Sequence, residues 1–316
     1  MPLPRVVADT PLNPVIEALL AGKVEILPWS VALEGTSEPV AGLYTYGHLL
    51  VDGPMLDRLP GLKVVSNYGV GVDHIRLVDA AARNIPVGNT PGILNGATAD
   101  MGFTLLLAAA RRLIEGDRYA RCADFTRYDP GYMLGQEVHG RTLGIVGMGR
   151  IGQQVARRAR AFDMPVLYYN RRQNAAVEQE LQARYVGFDE LLRTSDYVML
   201  CCPLSDETRG LIDAAALAKM KPTAILVNIA RGPVVDTQAL TVALQTNQIY
   251  AAGLDVTDPE PLSRDHPLLK LDNVTIAPHL GSATEQTRRR MAEISVENLL
   301  RGIAGEPLLH QVYASP

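Results

Sequence analysis

Cysteine is scarce. Cys122, Cys201 and Cys202 are the three in 316 residues, and their spacing makes neither a disulfide framework nor a zinc pattern. They are expected to be small buried hydrophobes in a reducing compartment. Positive charge is not in excess: 30 Lys plus Arg stand against 34 Asp plus Glu, a net charge of -4. Without a long basic run there is no nucleic-acid footprint. The densest basic cluster, Arg288-Arg289-Arg290, reads as the solvent face of a helix. The longest apolar run, residues 103–110, is too short to span a bilayer, and the N-terminus shows no apolar leader segment. No solenoid repeat or low-complexity tract is found. The expectation is a cytoplasmic protein with no nucleic-acid or membrane partner.

What is present is an ordinary globular composition, 47% hydrophobic and 20% charged, in a chain long enough for two domains. Strand-like runs at residues 5–8, 24–27, 42–45 and 64–68 alternate with helical patterns at 13–20 and 55–59, which predicts a parallel sheet with helices on its faces. Asn89-Thr90-Pro91-Gly92 punctuates a loop. Residues 97–113 are apolar on most faces, as in a helix buried between domains or subunits. Residues 117–140 mix Tyr119, Phe125, Tyr128 and Tyr132 with Pro130 and show no clean period; an arm against another subunit and a long loop both fit. Further strands are expected at 143–146, 166–169, 197–202, 224–229, 251–255 and 274–276, with helices such as 236–246 between them. Six parallel strands with crossover helices make a doubly wound sheet whose ligand lies at the strands' carboxyl ends. The last helix, 285–302, is long enough to return to the first unit.

Between the strand at 143–146 and the helical pattern from Ile151 stands Gly147-Met148-Gly149-Arg150-Ile151-Gly152. Gly147 permits the tight turn, Gly149 lets a pyrophosphate approach the backbone, and Gly152 lets helix and strand pack closely. The next strand ends in Asn170-Arg171-Arg172, with no acid to repel a ribose 2′-phosphate and two guanidiniums to pair with one. NADPH is therefore expected over NADH. Three ionisable residues follow later strand ends: Arg231, Glu260 and His279. Hydride transfer to a carbonyl carbon leaves an oxygen that must be protonated, a task suited to histidine. A nearby carboxylate orients the ring and stabilises its charged form, so Glu260 is expected to hold His279 ready to give a proton. Arg231 can bind a carboxylate and polarise the adjacent ketone. The implied substrate is a small 2-oxo acid.

These blocks, with Val70-Gly71-Val72-Asp73-His74, Ala251 to Val256, Asp258-Pro259-Glu260-Pro261-Leu262 and Pro278-His279-Leu280-Gly281-Ser282, closely resemble the D-isomer-specific 2-hydroxyacid dehydrogenases, and within them the glyoxylate/hydroxypyruvate reductases. The resemblance implies two doubly wound, Rossmann-like parallel-sheet domains with the active site in the cleft between them. A substrate-binding domain is expected at residues 1–96 and 286–316, and an NADP-binding domain at 97–285. It further implies that Arg231, Glu260 and His279 are catalytic, and that Val70 and Gly71 hold the substrate carboxylate while Leu94 faces the substrate. Thr98, Cys202, Pro203, Thr208, Ala230, Asp255 and Gly281 join Gly147, Gly149, Arg150, Ile151, Gly152, Asn170, Arg171 and Arg172 at the cofactor, with Asp255 at the nicotinamide carboxamide. A homodimer through the nucleotide-binding domain is expected, and no metal. The chain departs from relatives at Tyr46-Gly47-His48, where smaller or aliphatic residues are usual, and at Phe125, where many have Trp. Tyr46 and His48 either extend hydrogen bonding toward a larger acid such as 2-ketogluconate or close the cleft. A nucleotide-sensing dimer without turnover is the alternative of a different class.

Overall fold

The computed structural model describes residues 2–9, 11–46 and 49–314. Two compact units are present, one formed by Met1–Ile93 with Thr284–Pro316 and the other by Leu94–Ala283. The boundaries lie two or three residues before those read from the sequence.

In chain order the first unit contributes β1 (Arg5–Ala8), α1 (Pro14–Leu20), β2 (Glu25–Pro28), α2 (Ser30–Glu34), β3 (Gly42–Thr45), α3 (Gly53–Asp57), β4 (Val64–Asn67), α4 (Leu77–Ala82) and β5 (Val87–Gly88). The second contains α5 (Asn95–Ala110), α6 (Leu113–Ala120), β6 (Leu143–Val146), α7 (Arg150–Arg160), β7 (Val166–Tyr169), α8 (Ala175–Leu181) and β8 (Ala183–Tyr185). It continues with α9 (Phe188–Thr194), β9 (Tyr197–Leu200), α10 (Ala214–Leu217), β10 (Ile225–Asn228), α11 (Thr237–Gln245), β11 (Ala251–Leu254) and β12 (Val274–Ile276). The chain then returns to the first unit with α12 (Glu285–Ala304) and β13 (Gln311–Val312). Helix starts follow local chemistry. Asn13, Asp52, Asp213, Asp236 and Thr284 each accept a backbone N–H of the helix they precede, and Gly305 at φ 77° ends α12.

In the first unit the sheet order is β13-β5-β4-β3-β1-β2. All its pairs are parallel except β13 with β5, an antiparallel edge that the sequence reading lacked. One face packs Val7, Leu43, Val65 and Val87 against Met55, Leu56 and Ala80. On the other lies α12, where a Cβ on Gly302 would stand 2.4 Å from Val64 Cβ. There the buried Tyr44 hydroxyl meets Ser295 Oγ at 2.8 Å, and Ser66 Oγ donates to Ser295 O at 2.7 Å.

The second unit's sheet runs β12-β11-β10-β9-β6-β7-β8, all parallel. Seven strands replace the expected six: β8, with Arg184 at its centre, is too short and polar to announce itself. Alternation along the strands separates two cores. Tyr197, Met199, Ile225 and Val227 face Phe103, Leu106 and Val155, while Val198, Leu200 and Leu226 face Leu191, Leu217 and Leu244. The expected helix over 97–113 stops at Ala110 instead. Arg112 adopts φ 50°, its guanidinium makes a two-bond fork with Glu115, and α6 starts afresh at Leu113.

Two smaller expectations are corrected. Cys122 is exposed rather than buried. Arg288 is half-buried, with its guanidinium 5.9 Å from the Tyr68 ring centroid, whereas Arg289 and Arg290 face solvent as expected.

Candidate active site

β6 delivers the glycine turn into α7. Gly147 at φ 99° has no room for a side chain, since a Cβ would lie 2.6 Å from Cys202 N. A Cβ on Gly152 would lie 2.2 Å from Gly147 O, whereas one on Gly149 would meet nothing within 4 Å. No side chain caps α7, so its first N–H groups, at Arg150 and Ile151, open beside that space. Asn170 at the end of β7 accepts from Met148 N at 2.8 Å, fastening the turn to the neighbouring strand. Arg171 and Arg172 follow, both exposed. This cradle suits a dinucleotide pyrophosphate: small residues where the backbone must approach, free donors at a helix N-terminus, and cations beyond.

At the end of β9 the adjacent cysteines point to opposite faces, Cys201 into one core and Cys202 into the other. They form no dithiol. Burial raises both thiols, Cys202 to about 11, which keeps them protonated and inert. Pro203 O accepts from Thr208 Oγ1 at 2.7 Å, and the same hydroxyl accepts from Ser205 N at 2.8 Å, closing the loop beside the turn.

Three further strand ends supply charge. After β10, the buried Asn228 accepts from Ala230 N at 3.0 Å and donates to Arg231 O at 3.0 Å. Arg231 is thereby presented on a fixed turn, its Nη1 also donating to Ala230 O at 2.9 Å. The next residue, Gly232, presses on the following loop so closely that a Cβ would lie 1.9 Å from Thr257 O. In that loop Glu260 Oε2 accepts from Thr257 N at 3.3 Å. Its other oxygen lies 2.7 Å from His279 Nδ1. His279 follows β12 in the left-handed region, φ 56°, with its N–H donating to Asp255 O at 2.9 Å.

Asp255, only 2% exposed, accepts from Leu280 N at 2.6 Å and Gly281 N at 2.7 Å. Burial raises its carboxyl above the usual range, opposed by those two bonds. Thr98 in α5 touches the same turn: a Cβ on Gly281 would lie 3.3 Å from Thr98 Cγ2. The second unit therefore links Glu260, His279 and Asp255 through hydrogen bonds, with Thr98 beside Gly281 and the turn that carries Arg231 pressed on the loop that carries Glu260. Leu94 and Ala230 are buried beside their loops. The bonds of Asn228 and the clasp Asp255 makes on Leu280 N and Gly281 N are additions to the sequence reading, which places Asp255 only at the cofactor; both depend on which backbone groups the fold brings near.

In the first unit, Val70 and Gly71 stand half-buried in the loop after β4. Tyr46 donates its hydroxyl to Pro11 O and packs edge-on to Tyr68, with centroids 6.0 Å apart. Its polar tip is therefore engaged by the backbone of its own unit. His48 lies outside the described residues. Among the described residues no three His, Cys, Asp or Glu side chains are grouped to hold a metal, and no helix is long and apolar enough to cross a membrane.

Residues 103–281 match the family model of the D-isomer specific 2-hydroxyacid dehydrogenase NAD-binding domain. A glyoxylate reductase of Thermococcus gammatolerans is 47% identical over 284 residues, 89% of this chain and 84% of that one. A solved structure from Thermus thermophilus has 42% identity and a TM-score of 0.89, covering 98% of this chain and 99% of its own. The NADPH-dependent glyoxylate/hydroxypyruvate reductase of Sinorhizobium meliloti, solved with NADP and malonate, has 31% identity and a TM-score of 0.89 over 98% of this chain and 96% of its own. With both sheets, the glycine turn and the Glu260–His279 pair in place, the chain belongs to the D-isomer-specific 2-hydroxyacid dehydrogenase family of oxidoreductases, on its glyoxylate reductase branch.

Proposed function

We propose that the protein reduces a small 2-oxo acid, glyoxylate to glycolate or hydroxypyruvate to D-glycerate, with NADPH preferred over NADH. The observation that carries this reading is the Glu260–His279 contact of 2.7 Å, on a loop that the turn carrying Arg231 presses against. A bound nicotinamide supplies the hydride that goes to C2. Arg231 takes the substrate carboxylate or the C2 oxygen in its fork of donors and stabilises the charge that grows on that oxygen. His279 gives the oxygen its proton from Nε2, while Glu260 at Nδ1 orients the ring and balances the imidazolium. Val70 and Gly71 are assigned the substrate carboxylate, and Arg171 and Arg172 the 2′-phosphate. The relatives named for glyoxylate reduction, one of them NADPH-dependent, support the choice of substrate and cofactor.

The test is NADPH consumption, followed by absorbance, with a panel of 2-oxo acids and with NADH in parallel. Turnover of glyoxylate or hydroxypyruvate is expected, and His279→Ala should lower kcat by about 10²- to 10⁴-fold with NADPH binding nearly unchanged. Parent-level rates in His279→Ala would remove the histidine from the reaction. Equal efficiency with NADH would undo the assignment of Arg171 and Arg172, and no turnover with any acid would favour a nucleotide sensor. A homodimer belongs to the same proposal, because α6 contains no buried residue and the segment after it exposes Phe125, Tyr128, Tyr132 and Leu134.

A further inference from the structure

In the loop after β4 every carbonyl from Tyr68 to Val72 accepts a hydrogen bond from within the first unit. Thr90 Oγ1 donates to Tyr68 O at 2.8 Å. Asn67 Nδ2 donates to Gly69 O at 3.0 Å and to Gly71 O at 2.8 Å, while Asn89 Nδ2 donates to Val70 O at 2.8 Å. Thr90 N adds a second bond to Gly69 O at 3.2 Å, and Ile75 N closes the series on Val72 O at 2.9 Å. In a trans peptide the C=O and the following N–H point in opposite directions. With the carbonyls of residues 68–71 each committed to a side chain of their own unit, the N–H groups of residues 69–72 point away from those side chains. Those four nitrogens donate to no acceptor among the described residues. Successive outward N–H groups form a concavity for an anion.

The two amides that impose this geometry are themselves held. Asn67 ends β4 and is 1% exposed. Asn89 has its N–H on His310 O at 3.2 Å and its carbonyl on Asn298 Nδ2 at 3.0 Å, which anchors it to α12 and to the approach to β13.

We propose that Asn67 and Asn89 are positioning residues: their side-chain amides lock residues 69–71 into a preformed nest of backbone donors that receives the carboxylate of a 2-oxo acid. This rests on the reductase reading above and deepens it. Neither asparagine touches substrate; each acts through the backbone. A preformed nest spares the substrate the ordering of a loop, so its loss falls on carboxylate binding rather than on the proton or hydride.

Asn67→Asp and Asn89→Asp replace a donor by oxygens that repel the carbonyls they face. Binding of oxalate, a carboxylate with no reducible carbonyl, to the NADPH-loaded protein is the direct probe. Both variants should bind oxalate about 10²-fold more weakly, raise KM for glyoxylate far more than they lower kcat, and retain NADPH binding; the half-buried Asn89→Asp should also keep an unfolding temperature near the parent's. Should Asn67→Asp fail to fold, the half-buried Asn89 carries the test. Oxalate affinity within threefold of the parent in the folded variants would overturn the proposal. So would a fall in kcat at constant KM, or parallel loss of NADPH binding, since either makes the amides merely structural. A parent that turns over no 2-oxo acid would sink the reductase reading, yet the oxalate titration would still decide the nest.

Discussion

At Asp255, one carboxylate does the work of two backbone acceptors, taking Leu280 N and Gly281 N while shielded from water. Desolvation is the larger effect, so its folded-state pKa lies above the unfolded value, with the His279 charge pulling down and Glu260 pushing up. The folded protein then holds a proton that the unfolded chain has already released. The contribution of Asp255 to stability is thus complete below the unfolded value of 3.8 and declines as pH rises through the folded one. Asp57 and Asp189, lowered by Arg83 and Lys219, have the opposite sign and lose their contribution as pH falls. Asp255→Asn should accordingly be most destabilising near pH 3 to 4, with a penalty that shrinks toward neutrality. Denaturant unfolding at several pH values measures this; a penalty that grows with pH contradicts the sign. Loss of one acceptor from the turn should also loosen His279 and lower kcat in the same variant.

Among the elements, α7 and its glycine turn separate packing from binding. Gly152→Ala places a methyl against Gly147 O, at 2.2 Å before relaxation, and should cost about 1–3 kcal/mol of stability by displacing α7 from β6. Gly149→Ala meets no protein atom within 4 Å, so it should leave unfolding nearly unchanged yet weaken NADPH binding at least tenfold. Thermal unfolding and fluorescence titration of both variants provide the comparison, and unchanged NADPH affinity in Gly149→Ala would show that the open space beside Gly149 is not where phosphates lie. The turn was legible because apolar strand, glycine spacing and helical pattern coincide within ten residues of sequence. Arg231, Glu260 and His279 were legible for a similar reason, each following an apolar strand at its carboxyl end. Asn67, Asn89 and Asn228 were not, because their role depends on which carbonyls a loop brings near them, and that is a property of tertiary structure. The antiparallel pairing of β13 with β5 was hidden by two-residue strands far apart in sequence. The end of α5 was hidden too, since Leu113 and Ile114 prolong the apolar pattern past a left-handed Arg112.

For the molecule as a whole, exposed large apolar side chains occur in both units, and several of them fall close together in sequence in the second. Leu113 and Ile114 in α6, then Phe125, Tyr128, Tyr132 and Leu134, lie 43–82% open to solvent, and this is the stretch on which the proposed dimer contact is placed. If the proposed homodimer uses this stretch, Ile114→Glu with Leu134→Glu should lower the mass found in sedimentation from that of two chains to that of one; a parent that sediments as one chain would remove the dimer proposal, and an unchanged two-chain mass would place the contact elsewhere. The return of α12 and β13 to the first unit has another consequence, one of timing. Residues 94–283 are contiguous and carry their own two cores. Residues 1–93 receive Ser295 beneath Tyr44, Asn298 against Asn89 and the strand beside β5 only from the last part of the chain. During synthesis the inserted unit therefore has all its parts first, and the unit that begins the chain is the last to close.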